Sequence, residues 1–162
     1  MATRKPLVIV NGQIEQIQSG DTLLAPITSP SVVSLTNDEA GSVVICTPVY
    51  IDANDGFKKA KADAAGTRYV IGLVYDASIA NGVAGQVQID GILTATTGQW
   101  DAVFGTTGGL TKDTRYFLSA ATAGQATATA PTSAGQYVVL LGTAISTTEL
   151  LLSTDTLLQV LL

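Results

Sequence analysis

Four aspartates, Asp76, Asp90, Asp101 and Asp113, are the residues whose type and number could support catalysis, since a glycosidase needs only two carboxyl groups at a set separation. They are far apart in sequence, and each stands beside Ala, Gly, Lys or Thr in a turn-like context where aspartate has its own reason to occur. The 162-residue chain contains no histidine. That removes Ser-His-Asp and Cys-His catalysis in cis and histidine metal sites. The single cysteine, Cys46, permits no internal disulfide. Set in Val43-Val44-Ile45-Cys46-Thr47, it is expected to be a small buried hydrophobe.

Two segments imitate ligand loops in composition. Asp52-Ala53-Asn54-Asp55-Gly56 is reminiscent of a calcium loop, but its glycine comes one residue early and no glutamate closes it, so it reads as a turn. Gly105-Thr106-Thr107-Gly108-Gly109-Leu110-Thr111-Lys112 is glycine-rich yet lacks the Gly-Lys-Ser/Thr order, and it reads as a strand connection. No Gly-x-Ser-x-Gly elbow is present. Trp100, the only tryptophan, is expected to plug the core or meet another subunit, with sugar stacking as the alternative. The chain is therefore expected not to be an enzyme and to need no cofactor or metal.

The elements that would carry these residues are strands. Hydrophobic residues make up 46% of the chain and charged ones 13%, with a mean hydropathy of +0.36, which excludes an ordinary disordered tail. Aromatics are only 6%, so the core must come from small and branched side chains, as β-structure favours. Leu7-Val8-Ile9-Val10, Asn11-Gly12 and Gln13-Ile14-Glu15-Gln16-Ile17-Gln18 predict a hairpin on a two-residue turn. Pro26 and Pro30 mark an extended connection.

Ser31–Thr36 and Ser42–Thr47 have the spacing of a second hairpin or meander step, and Pro48–Ile51 reads as an extension along an edge. Asp52 to Gly66 is the one charge-rich interruption and could be a short helix or a loop. Strand rhythm resumes over Arg68–Tyr75, Gly85–Thr94 and Gly98-Gln99-Trp100, then Thr114–Ser119, Ala126–Thr129, Gln136–Ile145 and Glu149–Ser153. Strict alternation in Gln86-Val87-Gln88-Ile89 predicts one buried and one polar face. Turn signals about every ten residues predict an all-β fold, a compact antiparallel sandwich or barrel. Residues 1–30 are expected to form an N-terminal arm or hairpin, and residues 31–162 the β domain.

A formal charge of -5 and a pI near 4.4 argue against nucleic acid as the main partner, because phosphate binding needs a clustered cationic surface. No apolar run reaches the roughly 18 to 20 residues of a membrane span, and the run after Pro6 is too short for a signal peptide. The chain is expected to be made in the cytoplasm without classical export. Its basic residues fall into two groups, Arg4 with Lys5 and Lys58 with Lys59 and Lys61. They read as solvated charges or as steering charges for an acidic protein surface. Thr156-Leu157-Leu158-Gln159-Val160-Leu161-Leu162 is apolar enough to be explained by packing on another subunit or closing a sheet.

Arg4-Lys5-Pro6-Leu7-Val8-Ile9-Val10-Asn11-Gly12-Gln13-Ile14-Glu15-Gln16-Ile17-Gln18-Ser19-Gly20-Asp21-Thr22-Leu23 resembles an opening segment of structural proteins of tailed bacteriophages. Thr114-Arg115-Tyr116-Phe117-Leu118-Ser119, Ala130-Pro131-Thr132 and the stretch from Gly135 to Leu152 look like a β module of phage capsid-associated proteins and fibres. The size suits a capsid decoration, or cement, protein better than a long fibre. The resemblance implies a homo-oligomer, a trimer, that binds the major capsid protein on the outside of the assembled head and stabilises the shell. Its expected location is the virion surface. Arg4, Lys5, Leu7, Ile9, Lys58, Lys59, Lys61, Leu158 and Val160 are the expected capsid or subunit contacts. The alternatives are a tail, neck or head-fibre component, or a glycan-binding module that uses Trp100 and tyrosines.

Overall fold

The computed structural model describes residues 31–153 together with the strands β1 (Leu7–Val10) and β2 (Gln13–Gln16). The first hairpin forms as expected: β1 and β2 pair antiparallel with Val10 opposite Gln13, leaving Asn11 and Gly12 to connect them. A two-residue Asn-Gly connection suits the right-handed twist of paired strands. The proline connection from Pro26 to Pro30 lies outside the described residues.

The rest is mostly antiparallel β with one short helix, in agreement with the all-β expectation. Chain order gives β3 (Ser31–Thr36), β4 (Val43–Val44), β5 (Pro48–Ile51), β6 (Phe57–Lys59), β7 (Gly72–Val74), β8 (Ser78–Ile79) and β9 (Ala84–Asp90). After a corner come β10 (Ile92–Thr94), α1 (Thr97–Phe104), β11 (Arg115–Leu118), β12 (Ala126–Thr127), β13 (Leu140–Ala144) and β14 (Glu149–Leu152). One five-stranded sheet has the order β3-β9-β7-β5-β6 and the other β10-β14-β13-β11-β12, with β4 and β8 forming a small ladder. The chain passes from the first sheet to the second at Gly91, whose φ of 83° is a left-handed conformation that favours glycine.

Successive strand residues face opposite ways, and the first sheet uses both faces. Leu73 joins the larger apolar cluster, which takes Cys46, Ala60 and Ala62 from one side and Leu93, Trp100, Tyr116, Leu141 and Leu150 from the other. Its neighbour Val74 joins a second cluster with Val49, Phe57 and Val87, closed by Val43 of β4 and Ile79 of β8. The β4–β8 ladder thus covers what would otherwise be an exposed apolar sheet face.

Several local expectations are overturned by longer-range packing. β3 pairs with β9, not with β4. The connecting loop is held elsewhere by wholly buried Asn37, whose Nδ2 donates to Gly41 O at 3.0 Å and Ile79 O at 2.8 Å. The expected strand Ser42–Thr47 ends after Val44, where Ile45 and Cys46 turn. Pro48 does not lie along an edge, because β5 sits between β7 and β6. As the first residue of its strand, Pro48 offers its carbonyl to the Ala60 amide, a position compatible with its missing N–H.

The 52–66 segment contains a strand, β6, and no helix. Phe57 is fully buried in the second cluster, and extended backbone pairs Lys58 with Tyr50 and Lys59 with Val49. Gly98-Gln99-Trp100 belongs to α1, not to a strand. Thr96 and Gln99 form a capping box, and Gly105 at φ 62° terminates the helix. In β9 the alternation is broken, since Gln88 is as buried as Val87. Its Nε2 donates to Asp90 O at 2.9 Å, which meets part of the cost of burying the amide.

Candidate functional site

Three of the four aspartates, Asp76, Asp90 and Asp101, bind the protein's own backbone through their carboxylates, as does Asp52. Asp52 Oδ1 accepts the amides of Asn54 at 2.9 Å and Gly56 at 3.3 Å, and its Oδ2 lies 3.1 Å from Lys58 Nζ. These interactions, the Asn54 amide foremost, hold the Asp52 carboxyl below the ordinary aspartate range. Asp76 Oδ2 accepts the Gln86 amide at 2.8 Å, and Asp90 Oδ1 the Gly91 amide at 2.6 Å. Asp101 accepts Thr106 Oγ1 at 2.7 Å, Gly109 N at 2.8 Å and Gly108 N at 3.0 Å. The glycine-rich loop therefore wraps a carboxylate of its own chain. Asp113 stands at φ 62°, with its amide on Ala144 O. Among the described residues, no three His, Cys, Asp or Glu side chains converge on a metal-sized site.

Cys46 is wholly buried, as expected, and burial pushes its thiol far above the reactive range. Trp100 is also wholly buried. Its Nε1 donates to Thr148 O at 3.0 Å, and its ring meets Phe104 edge to face at 4.8 Å. Trp100 is a core plug and offers no face to a sugar.

An open groove of about 590 Å³ lies at one end of the first sheet. It forms because one end of four neighbouring strands comes together: the start of β3 at Ser31, the end of β9 at Ile89 and Asp90, the approach to β7 at Val70 and Ile71, and the end of β5 at Ile51. The end of β14, at Leu152 and Ser153, adds a fifth wall from the other sheet. The Leu152 amide donates to Gly91 O at 2.9 Å, fixing that wall at the inter-sheet corner. Ile51 is 49% exposed here. Among the described residues the lining is mainly aliphatic, with Asp90 its one ionisable side chain. Such a surface is suited to apolar docking, not to acid–base chemistry.

Ser31 and Ser153, the two ends of the continuously described stretch, both line this groove. Beside the groove, β3 is an edge strand of six residues, paired on one side with β9 and without a strand partner on the other among the described residues. An edge strand is where another segment of chain can add to a sheet.

Of the expected contact residues, Leu7, Ile9, Lys58, Lys59 and Lys61 fall among those described. Arg4, Lys5, Leu158 and Val160 lie outside the described residues, while Leu7 and Ile9 are in β1. Lys58 pairs with Asp52, and Lys61 Nζ lies 2.6 Å from Asp63 Oδ2. Lys58 and Lys59 are successive residues of β6, so they point to opposite faces and form no single patch. Sequence reasoning missed Arg68, whose guanidinium lies 4.8 Å from the Tyr69 ring centroid and 4.0 Å from that of Tyr137. It also missed the groove residues Ile51, Ile71 and Ile89. Their apolar character was visible, but their convergence depends on the pairing order of β3, β9, β7 and β5.

No family model, curated protein or solved structure matches the chain. Among the described residues, no helix is long and apolar enough to cross a membrane.

Proposed function

We propose that this chain is a non-enzymatic decoration protein of a tailed-bacteriophage head, binding the outside of the assembled shell as a homo-oligomer. The observation that carries the reading is the open, mainly aliphatic groove at the ends of β3, β9, β7, β5 and β14, bordered by β3, which among the described residues has a strand partner on one side alone. It provides a face for protein association, while the carboxylates best placed for chemistry are engaged by backbone amides. The phage-like stretches Arg4–Leu23 and Gly135–Leu152 direct the reading to a virion.

The physics of a lattice suits such a face. A contact of about 800 Å² per partner spans a wide range of affinities. A copy that bridges neighbouring capsid subunits adds its binding free energy to the assembled state only. The major capsid protein is the partner, and no cofactor is required.

The test is to mix purified protein with undecorated heads and image them by electron microscopy. Density at threefold or quasi-threefold positions of the shell is expected. Density confined to the neck, tail or fibres would replace this reading with the tail-component one. Deleting residues 2–30 is expected to abolish decoration while leaving the β circular-dichroism signal.

A further inference from the structure

We propose that Arg68, stacked on Tyr69 and Tyr137, is a docking site for a carboxylate side chain of the protein partner. The inference rests on the decoration reading above and names the chemistry that the capsid surface must offer there.

Local structure builds the site. The loop before it is closed by the Lys61 amide on Thr67 O at 3.0 Å and by the Thr67 hydroxyl on Lys61 O at 2.9 Å. The Val70 amide then donates to Arg68 O at 2.9 Å, a bond across two residues that makes a γ-turn. Val70 is buried, while Tyr69 at the tip of the turn is 48% exposed. Tyr137 packs against the larger apolar cluster, and its amide donates to Ala62 O at 2.9 Å. One aromatic wall is thus fixed to the core, and the other stands in solvent.

The guanidinium lies 4.0 Å from the Tyr137 ring centroid and 4.8 Å from that of Tyr69, and its Nη2 donates to the Tyr69 hydroxyl at 2.8 Å. Its Nε is buried without an acceptor, an arrangement that ordinarily costs stability. Ring stacking holds the cation in place but supplies no acceptor. No carboxylate answers it among the described residues, whose ion pairs are Lys58 with Asp52 and Lys61 with Asp63. Nη1 and the second hydrogen of Nη2 are left to bind the two oxygens of an incoming carboxylate, the geometry for which a planar fork is suited.

Two features select a protein carboxylate over a phosphate polyanion. Tyrosine and arginine are enriched among the residues that dominate protein interfaces. The chain's charge of -5 repels a polyanion along its length, whereas a single carboxylate in contact feels little of it, because charges more than about 8 Å away are screened at physiological salt. Val70, two residues after Arg68, lines the aliphatic groove. One short segment therefore joins the polar anchor to the apolar face.

Binding of the full chain to undecorated heads, measured by sedimentation, tests this. Arg68→Gln is expected to weaken binding roughly tenfold or more, and Arg68→Lys nearly as much, because an ammonium has no planar fork. Tyr69→Ala, on an exposed side chain, is expected to weaken it several-fold and keeps the test available where Arg68→Gln fails to fold by circular dichroism. Lys112→Gln removes the same charge at an exposed position and is expected to bind as the wild type does. Amidating the shell carboxylates is expected to bring wild-type binding down to the Arg68→Gln level. Full binding by folded Arg68→Gln, Arg68→Lys or Tyr69→Ala overturns the site and leaves the decoration reading standing. A wild type that binds amidated and untreated heads equally overturns the carboxylate partner. A wild type that binds neither overturns the decoration reading, and the capsid partner with it.

Discussion

Asp101 Oδ1 accepts the amide of Gly109 at 2.8 Å, across the glycine-rich loop that follows the helix. With Thr106 Oγ1 and the Gly108 amide on the same carboxylate, this loop carries its anion as a covalently attached side chain. The donors that a phosphate would require are already engaged. The sequence reads this stretch as a strand connection, and the contacts make it a helix-to-loop clasp.

That clasp predicts an acid-dependent stability difference. The Thr106 hydroxyl, then the Gly109 amide, hold the Asp101 carboxyl below its ordinary 3.8. A carboxyl whose folded-state pKa is depressed contributes stability that is fully present above its unfolded value and lost as pH falls through the lower folded value. Asp101→Asn is therefore expected to melt below the wild type by a constant margin at neutral pH, and the margin should shrink below about pH 4. Thermal melts from pH 7 to strongly acid solution check this. A margin unchanged in acid would show that the charge is not what holds the loop.

The helix gives a second prediction. Thr96 accepts the Gln99 amide at 3.3 Å, and Gln99 Oε1 accepts the Thr96 amide at 2.8 Å. Thr96→Ala should cost about 1 kcal/mol in denaturant unfolding, the usual loss of an N-cap. Trp100→Ala should cost about 3–5 kcal/mol, because a fully buried indole leaves a cavity beside Phe104. Equal losses for the two changes would contradict the division between cap and core plug.

The difference in legibility between β1–β2 and α1 has a physical basis. The β1–β2 pairing is legible locally, because an Asn-Gly pair between two apolar runs is a strong hairpin signal within a few residues. The helix was also locally signalled, by Thr96 and Gln99 three residues apart and by Gly105 after the last turn. The flanking run of short strands obscured that signal. Pro48 and Gln88 depart for non-local reasons. β5 becomes an interior strand because β6 adds outside it, and Gln88 is buried although its neighbours alternate. The groove is the least legible feature, since Ser31, Ile51, Ile71 and Ser153 meet only through sheet order and the corner at Gly91.

Two strand glycines predict a steric effect that composition does not reveal. A Cβ on Gly72 would lie 2.1 Å from Gln88 O, and one on Gly142 would lie 2.3 Å from Leu151 O. Alanine at either position must push neighbouring backbone away, with an expected loss of about 1–3 kcal/mol or more. Gly98, in the first turn of α1, has no heavy atom within 4 Å of such a Cβ. Gly98→Ala should instead stabilise by up to about 1 kcal/mol, because alanine is the better helix former. Denaturant melts of the three single variants test the opposite signs.

Cys46 combines a φ of 70° with complete burial, and the two constraints pull substitutions in different directions. The apolar surroundings favour a hydrophobic replacement, but a β-branched side chain is strongly disfavoured in the left-handed region. Cys46→Val should therefore be less stable than Cys46→Ala, by about 1–3 kcal/mol, despite filling more of the core. Burial also keeps the thiol protonated and out of reach of reagents. A disulfide reagent at mildly alkaline pH is expected to leave the native protein unmodified and to titrate one thiol per chain in denaturant. Stoichiometric labelling of the native protein within minutes would contradict the buried placement, and a Val variant as stable as the Ala variant would contradict the backbone constraint.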